Sequence, residues 1–152
     1  MKANMNLRIA IAVLLTSIGA GATAYAQTAL SYFALTPCRV VDTRNASGIN
    51  GGPILGAASQ RDFAIRGNCG VPTTAKALTL NVTIAGATTI SFLSIWPSGQ
   101  TRPNVSTINF RSTDPALANG ATVGLSTNAQ DLSVYNSDGN VHVILDVTGY
   151  YQ

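Results

Sequence analysis

Few side chains in this sequence are suited to acid–base or nucleophilic chemistry. It has one histidine, His142, and all six of its acidic residues are aspartates. His142 and Asp146 share a parity in a run that alternates like a β-strand, so they would lie on one face but about 13 Å apart along it. At that separation they cannot act as a dyad. Because no G-x-S-x-G nucleophile motif is present either, we predict no catalytic residues and a protein that is not an enzyme.

A metal site is weakly encoded. Asn136, Asp138 and Asn140 offer oxygen ligands at alternate positions, which is a pattern that calcium can use. The same residue types are typical of a tight turn. We therefore predict no metal and no cofactor.

Binding residues are better candidates. Trp96 precedes a Pro-Ser-Gly loop that carries Arg102, and together with Tyr135 these residues could form an aromatic platform that stacks on sugars. Trp96 could equally be a core side chain. Asp42 and Arg44 are two apart, hence on one side of an extended chain, where they could form a structural ion pair with other strands or recognise a carboxylate or sugar. These five residues are the predicted binding site.

The elements that must position these residues are strands. Lys76–Ala85 places Leu78, Leu80, Val82 and Ile84 on one parity, the pattern of a strand with one buried face. Asp131–Tyr151 contains two alternating runs around Asp138-Gly139, which predicts a β-hairpin. The part of the chain after residue 26 is rich in Thr, Ser, Asn and Val and has no Glu, which favours strands over helices.

These patterns predict an all-β fold, a single antiparallel β-sandwich that is either a jelly roll or immunoglobulin-like. About nine short strands separated by turns are expected, with no helix. The long Gly-rich and Asn-rich loop 45–59 is a further binding element. The other predicted strands are Thr28–Leu35, Cys38–Thr43, Asp62–Arg66, Ile90–Trp96, Ser106–Phe110 and Ala121–Ser126.

Residues 1–26 have the features of a secretory signal peptide. Lys2 and Arg8 precede and flank an apolar run of about 16 residues, too short for a membrane span, which ends at Ala24-Tyr25-Ala26. Cleavage there would leave a single secreted domain, residues 27–152, and lower the net charge from +3 to about +1. We therefore expect an extracellular or cell-surface protein, no membrane span after cleavage and no nucleic-acid partner.

Both cysteines, Cys38 and Cys69, lie outside this leader. An exported chain meets an oxidising compartment, which favours a disulfide between them. Neither has nearby histidines or further cysteines with which to hold a metal.

Five segments of the sequence, taken together, resemble a poorly characterised β-rich module of secreted bacterial proteins. That module occurs alone or appended to exported hydrolases and surface proteins. The resemblance implies an extracellular accessory or surface domain and brings no catalytic set. It spans nearly all of the chain after the leader and rests on FALTPCRVVDTR (33–44), NCGVPTTAKALTLNVT (68–83), FLSIWPSGQTRPNVSTINF (92–110), LANGATVGL (117–125) and VYNSDGNVHVILDVTGYY (134–151).

Three functions remain open at this point. The first is a non-enzymatic module that binds glycan or cell-envelope polymer through the long loop and the Trp96 to Arg102 region. The second is a structural subunit that self-associates into a fibre or coat by lending the edge strand Thr28–Leu35 to a neighbour. The third is a secreted hydrolase, which would need an acid and a hydroxyl group converging on His142.

Overall fold

A computed structural model describes residues 29–152 of the chain. The predicted signal peptide, residues 1–26, and the first residue of the predicted strand Thr28–Leu35 lie outside this range. Within residues 29–152 every regular element is a β-strand. That range contains no helix that could cross a membrane.

Eight strands form two antiparallel sheets of four strands each. In sheet 1 the order is β1-β8-β3-β6, and in sheet 2 it is β2-β7-β4-β5. The chain therefore pairs first strand with last, second with seventh, third with sixth and fourth with fifth. The strands are β1 Tyr32–Asp42, β2 Ser59–Phe63, β3 Ala77–Ala85, β4 Ser91–Pro97, β5 Ile108–Phe110, β6 Ala116–Gly124, β7 Leu132–Asn136 and β8 His142–Tyr151.

The two sheets share one hydrophobic core. In β3 burial alternates over the whole strand, with Leu78, Leu80, Val82 and Ile84 almost fully buried. Sheet 2 contributes one parity of each of its own strands, such as Leu93 of β4 and Leu132 of β7, to the same cluster. As the sequence predicted, apolar and polar residues alternate because each strand has one face in the core.

The predicted hairpin over Asp131–Tyr151 is wrong. Strands β7 and β8 lie where the alternation places them, but β7 pairs with β2 and β4 whereas β8 pairs with β1 and β3. Gly139 does adopt a positive φ of 60°. The turn therefore carries the chain from one sheet to the other, and the apolar parities of β7 and β8 contribute to the core from opposite sides.

The part of the chain that the structure describes contains eight strands, whereas about nine were predicted. The predicted strands Thr28–Leu35 and Cys38–Thr43 form one strand, β1, which has a register shift around Pro37 where the two were divided. The sixth strand begins at Ala116, five residues before the predicted Ala121–Ser126, and runs straight through Asn119 and Gly120. The Asn-Gly pair is therefore extended here, not a turn.

The predicted disulfide between Cys38 and Cys69 is confirmed, with 5.7 Å between the two Cα atoms and a sequence separation of 31 residues. Cys38 lies in β1 of sheet 1, and Cys69 lies in the turn that follows β2 of sheet 2. The bond thus links the parts of the chain that flank the long loop.

Candidate functional site

The loop that follows β4 covers the outer surface of that strand. Leu93 and Ile95 of β4 point into the core, so Ser94 points away from it. The Ser94 hydroxyl nevertheless is fully buried and donates to the carbonyl oxygen of Val105. Thr107 accepts a hydrogen bond from the Ile95 amide at 3.0 Å. The loop therefore passes over Ser94 on the outer face of sheet 2 and returns to the edge of β4 at Thr107.

Trp96 is buried beneath this loop. Its side chain is 3% exposed, and its indole Nε1 donates to the carbonyl oxygen of Gln100 at 2.9 Å. The ring therefore cannot stack on a ligand in this structure. The predicted aromatic platform does not include Trp96, which holds the loop in place instead.

Arg102, on the same loop, is brought to Tyr135 as expected. Its guanidinium carbon lies 4.0 Å from the centre of the Tyr135 ring, a cation–π contact. Tyr135 belongs to β7 and points outward, since its neighbours Leu132 and Val134 are in the core. The guanidinium covers part of the ring, and the Arg102 side chain is itself exposed to solvent.

A hydrogen-bonded group of polar side chains adjoins Tyr135. Asp62 of β2 accepts from the hydroxyl of Ser133 at 2.6 Å and from that of Ser98 at 3.2 Å. Gln60, the cross-strand partner of Tyr135, donates to Asp62 at 3.1 Å. Gln60 and Asp62 are exposed, so this side of Tyr135 offers donors and acceptors in fixed positions.

On the other side of Tyr135 lies a cleft of about 680 Å³. Phe92 of β4 lines it, with a ring centre 6.4 Å from that of Tyr135. Ile90 at its mouth is 69% exposed. We call this hollow the Phe92 cleft; its other side chains of interest are the polar residues Asn109, Arg111, Asp114 and Asp138.

Asp42 and Arg44 lie on the other sheet and are paired with each other. Arg44 donates from Nε and Nη2 to the two carboxylate oxygens of Asp42, at 2.8 and 2.7 Å. Arg39 bridges Asp42 to Asp146, with 2.8 Å between its Nε and Asp146 Oδ1. Hydrogen bonding from Arg44, opposed in part by burial, lowers the pKa of Asp42 to about 2. Of the two readings left open, the ion pair is observed, although within one strand end and not between strands.

The single histidine contacts a hydroxyl group but no acid. His142 Nδ1 lies 3.2 Å from the hydroxyl of Thr43, which also accepts a hydrogen bond from the Val143 amide at 2.8 Å. Thr43 is only 2% exposed. Substrate would not reach this hydroxyl, so the pair has a structural role.

The long loop 45–59 is fixed by side chains of the strand that follows it. Arg61 donates to the carbonyl oxygens of Gly48, Gly51 and Pro53 at 3.1, 2.7 and 2.8 Å. Burial without an acidic partner lowers the pKa of Arg61. Three backbone carbonyl groups of the predicted binding loop thus already have a hydrogen-bond donor within the chain.

The oxygen-rich turn after β7 is also committed to internal bonds. The Asn136 side chain is fully buried, donates to the carbonyl oxygens of Gly56 and Gly139 at 3.0 and 2.9 Å, and accepts from Ser91 at 3.0 Å. Its amide oxygen is therefore not free for a cation. Among residues 29–152 no group of three His, Cys or acidic side chains could hold a metal.

Reasoning from the sequence missed the Phe92 cleft. The sequence pattern pointed to Trp96 as the aromatic candidate, although Phe92 has the same parity in β4. In the structure Phe92 reaches the surface, because the loop after β4 covers only the end of the strand near Trp96. The sequence pattern assigned Asp138 to a turn. A period-two reading of the outward face would have found Phe92, but not the distant residues around it.

Neither a scan against protein-family models nor a search of curated proteins gave a match to this chain.

Proposed function

We propose that this chain is a non-enzymatic extracellular module that binds glycan or cell-envelope polysaccharide in the Phe92 cleft. One observation carries this proposal: the Phe92 ring lines the 680 Å³ hollow, and a second outward-facing ring, that of Tyr135, has its centre 6.4 Å from the centre of the Phe92 ring. A sugar ring has an apolar face that stacks on an aromatic ring and a periphery of hydroxyl groups that needs hydrogen-bonding partners.

The surroundings of the two rings suit such a ligand. The Asn109 amide and the Arg111, Asp114 and Asp138 side chains line the cleft and can both donate to and accept from hydroxyl groups. Asp114 is held in place by the Arg111 amide, which donates to it at 2.8 Å. Arg102, stacked on Tyr135, extends the polar surface beyond the cleft.

The balance of charge favours a neutral or mixed ligand over a polyanion. The cleft carries Arg111 with Asp114 and Asp138, and the adjoining surface carries Arg102 with Asp62. A nucleic-acid surface would show clustered basic residues. The predicted site is therefore kept in part, with Arg102 and Tyr135 retained, while Trp96, Asp42 and Arg44 are assigned structural contacts.

Export, and with it an extracellular or cell-surface location, belongs to the same proposal. The Cys38–Cys69 bond is consistent with an oxidising compartment. The 124 residues from 29 to 152 carry seven basic and six acidic side chains, a net charge of about +1. That small charge leaves the aromatic surface as the main feature for recognition.

We further propose that the fold is a jelly roll and not immunoglobulin-like. Pairing of strands one with eight, two with seven, three with six and four with five is that of a long antiparallel ribbon wrapped into two facing sheets. An immunoglobulin-like sandwich would place strands one and two in the same sheet, whereas here they lie in different sheets. Jelly rolls include lectin domains, which agrees with the proposed function by analogy only.

The test is retention of the purified protein on a glycan array and on isolated cell-envelope fractions. We expect selective retention that Phe92→Ala weakens by roughly five- to thirtyfold, because loss of a stacked ring costs on the order of 1–2 kcal/mol. Phe33→Ala is the matched control, since Phe33 is a 44% exposed ring on β1 of the other sheet. No retention on any polysaccharide, or equal retention of Phe92→Ala and parent, would refute the proposal.

A further inference from the structure

Strand β6 is an edge strand without the features that usually protect an edge. It spans nine residues, Ala116–Gly124, and contains neither a charged residue nor a proline. Its pairing with β3 is continuous from Ala77↔Gly124 to Ala85↔Ala116, without a bulge. Charges, prolines, bulges and short length are the usual devices against pairing with another chain.

The other three edges among the described residues do have such features. β1 contains Pro37 and Arg39 and has two register shifts. β2 has five residues, including Arg61 and Asp62, and β5 has three. Of these four edge strands, only β6 lacks all of the protecting features.

The register shows which backbone groups of β6 face outward. The Leu125 amide donates to the Lys76 carbonyl oxygen at 2.7 Å, so the next pair, Ala77 with Gly124, is a non-hydrogen-bonded pair of the antiparallel ladder. Because hydrogen-bonded and non-hydrogen-bonded pairs alternate, the amide and carbonyl groups at every second position face the open edge. These positions are Ala116, Ala118, Gly120, Thr122 and Gly124.

Gly120, at the middle of this row, is not required by the fold of its own chain. A Cβ atom at this position would have no neighbour within 4 Å, and its φ lies outside the left-handed region. A glycine inside a strand weakens it and often marks a site where another backbone approaches closely. The Gly120 site is open to such an approach.

Leu117 supplies an apolar contact beside the same edge. It lies on the core-facing parity of β6 but is 38% exposed, since β5 of the opposite sheet is too short to cover it. A hollow of about 290 Å³ runs between it and Ile108. An added strand would cover the exposed part of Leu117.

We propose that β6 pairs with β6 of a second copy of this chain, antiparallel and about a two-fold axis at Gly120. In that register Ala118 faces Thr122 of the other copy, Leu117 faces its Val123, and about ten backbone hydrogen bonds join the two strands. The contact is self-complementary, so it closes as a dimer with one continuous sheet across both copies. The small net charge of each copy, about +1, does not oppose it.

A second copy is favoured over a strand from another protein because the edge of β6 is complementary to itself. Each Leu117 finds an apolar partner, Val123, which is itself in the core cluster, and each small residue of the row meets another small residue. The proposal is independent of the glycan site, since Phe92 and Tyr135 belong to the other sheet.

The test is the oligomeric state of the protein purified after expression of the full chain, by sedimentation equilibrium up to about 1 mM, the range in which a small interface is detected. We expect the parent to move from monomer to dimer. In Ala118→Lys/Thr122→Lys each lysine would face a lysine of the other copy, and we expect association to weaken at least tenfold. In Ala118→Lys/Thr122→Glu each lysine would face a glutamate, and we expect the dimer to return.

Both double variants should melt close to the parent temperature, because Ala118 and Thr122 are exposed. Amide exchange gives a second readout: the amides of Gly120 and Thr122 should become protected as concentration rises, whereas those bonded to β3 are protected at all concentrations. A parent that stays monomeric throughout, or equal association of the two double variants, would overturn the proposal.

Discussion

Asp42 illustrates how a residue spacing can leave two roles open for one side chain. Its spacing from Arg44 suggested a recognition site or an ion pair between strands. In the structure Asp42 is 6% exposed and both of its carboxylate oxygens accept from Arg44. Two residues of separation were enough for a bidentate contact within the strand end, where the chain begins to turn.

We predict that Asp42 makes stability depend on acid pH. Its pKa falls from 3.8 to about 2 in the folded chain. The ionised carboxylate therefore stabilises the fold above about pH 4, and this contribution is lost as the pH falls toward 2. Asp42→Asn should lower the free energy of unfolding by about 1–2 kcal/mol at pH 6, allowing for solvent screening of the half-exposed arginines.

The measurement is urea denaturation of parent and Asp42→Asn at pH 6 and pH 2. The difference between the two proteins should shrink strongly at the lower pH. A difference of the same size at both values would show that Asp42 acts through packing and not through its charge.

At the scale of elements, the connections were less predictable than the strands. The Asp138-Gly139 turn has the composition of a hairpin, and Asn119-Gly120 has the composition of a turn. The first crosses between sheets and the second is extended in β6. Local preferences for positive φ allow these conformations but do not select them, because the partner strand lies far away in the sequence.

The disulfide is the element-scale feature that the sequence did predict, and its effect on stability is testable. Cys38 and Cys69 join β1 of sheet 1 to the turn after β2 of sheet 2. Replacing both by serine should lower the free energy of unfolding by about 3 kcal/mol, because the unfolded chain is released from a closed loop.

Reduction of the parent with dithiothreitol should reproduce the melting temperature of Cys38→Ser/Cys69→Ser. The non-reduced double variant should in turn be insensitive to dithiothreitol. A double variant as stable as the oxidised parent would contradict a stabilising role for the bond.

At the scale of the whole molecule, both sheets contribute side chains to one cluster. In sheet 1 the apolar parity was visible in the sequence of β3 and of β8, and its members are buried as expected: Leu78, Leu80, Val82, Ile84, Val143, Leu145 and Val147. A shared core predicts that neither sheet unfolds alone. Trp96 is the only tryptophan and lies in sheet 2, so its fluorescence can report on changes made in sheet 1.

We therefore expect Leu80→Ala, in β3 of sheet 1, to shift the unfolding transition seen by Trp96 fluorescence. Leu80 is 2% exposed, and a cavity at such a site costs about 2–5 kcal/mol. Leu117→Ala, an equal truncation at an exposed site of β6, should cost less than about 1 kcal/mol. Fluorescence and far-ultraviolet circular dichroism should give the same midpoint for each variant; separate midpoints would contradict a single cooperative core.

The sequence by itself determined the approximate positions of the strands, the buried parities of β3 and β8, the absence of helices in the described range and the disulfide, because alternation and residue type act over a few neighbouring positions. It did not fix the strand ends: the predicted strand Asp62–Arg66 is observed at Ser59–Phe63. Only the tertiary structure decided which strands pair, that the loop after β4 buries Trp96, and that Phe92, Tyr135 and Arg102 share a surface. Those outcomes depend on contacts between residues far apart in the chain. The position of β6 at a sheet edge was also decided by the tertiary structure, since the sequence of β6 does not show whether a further strand pairs with it.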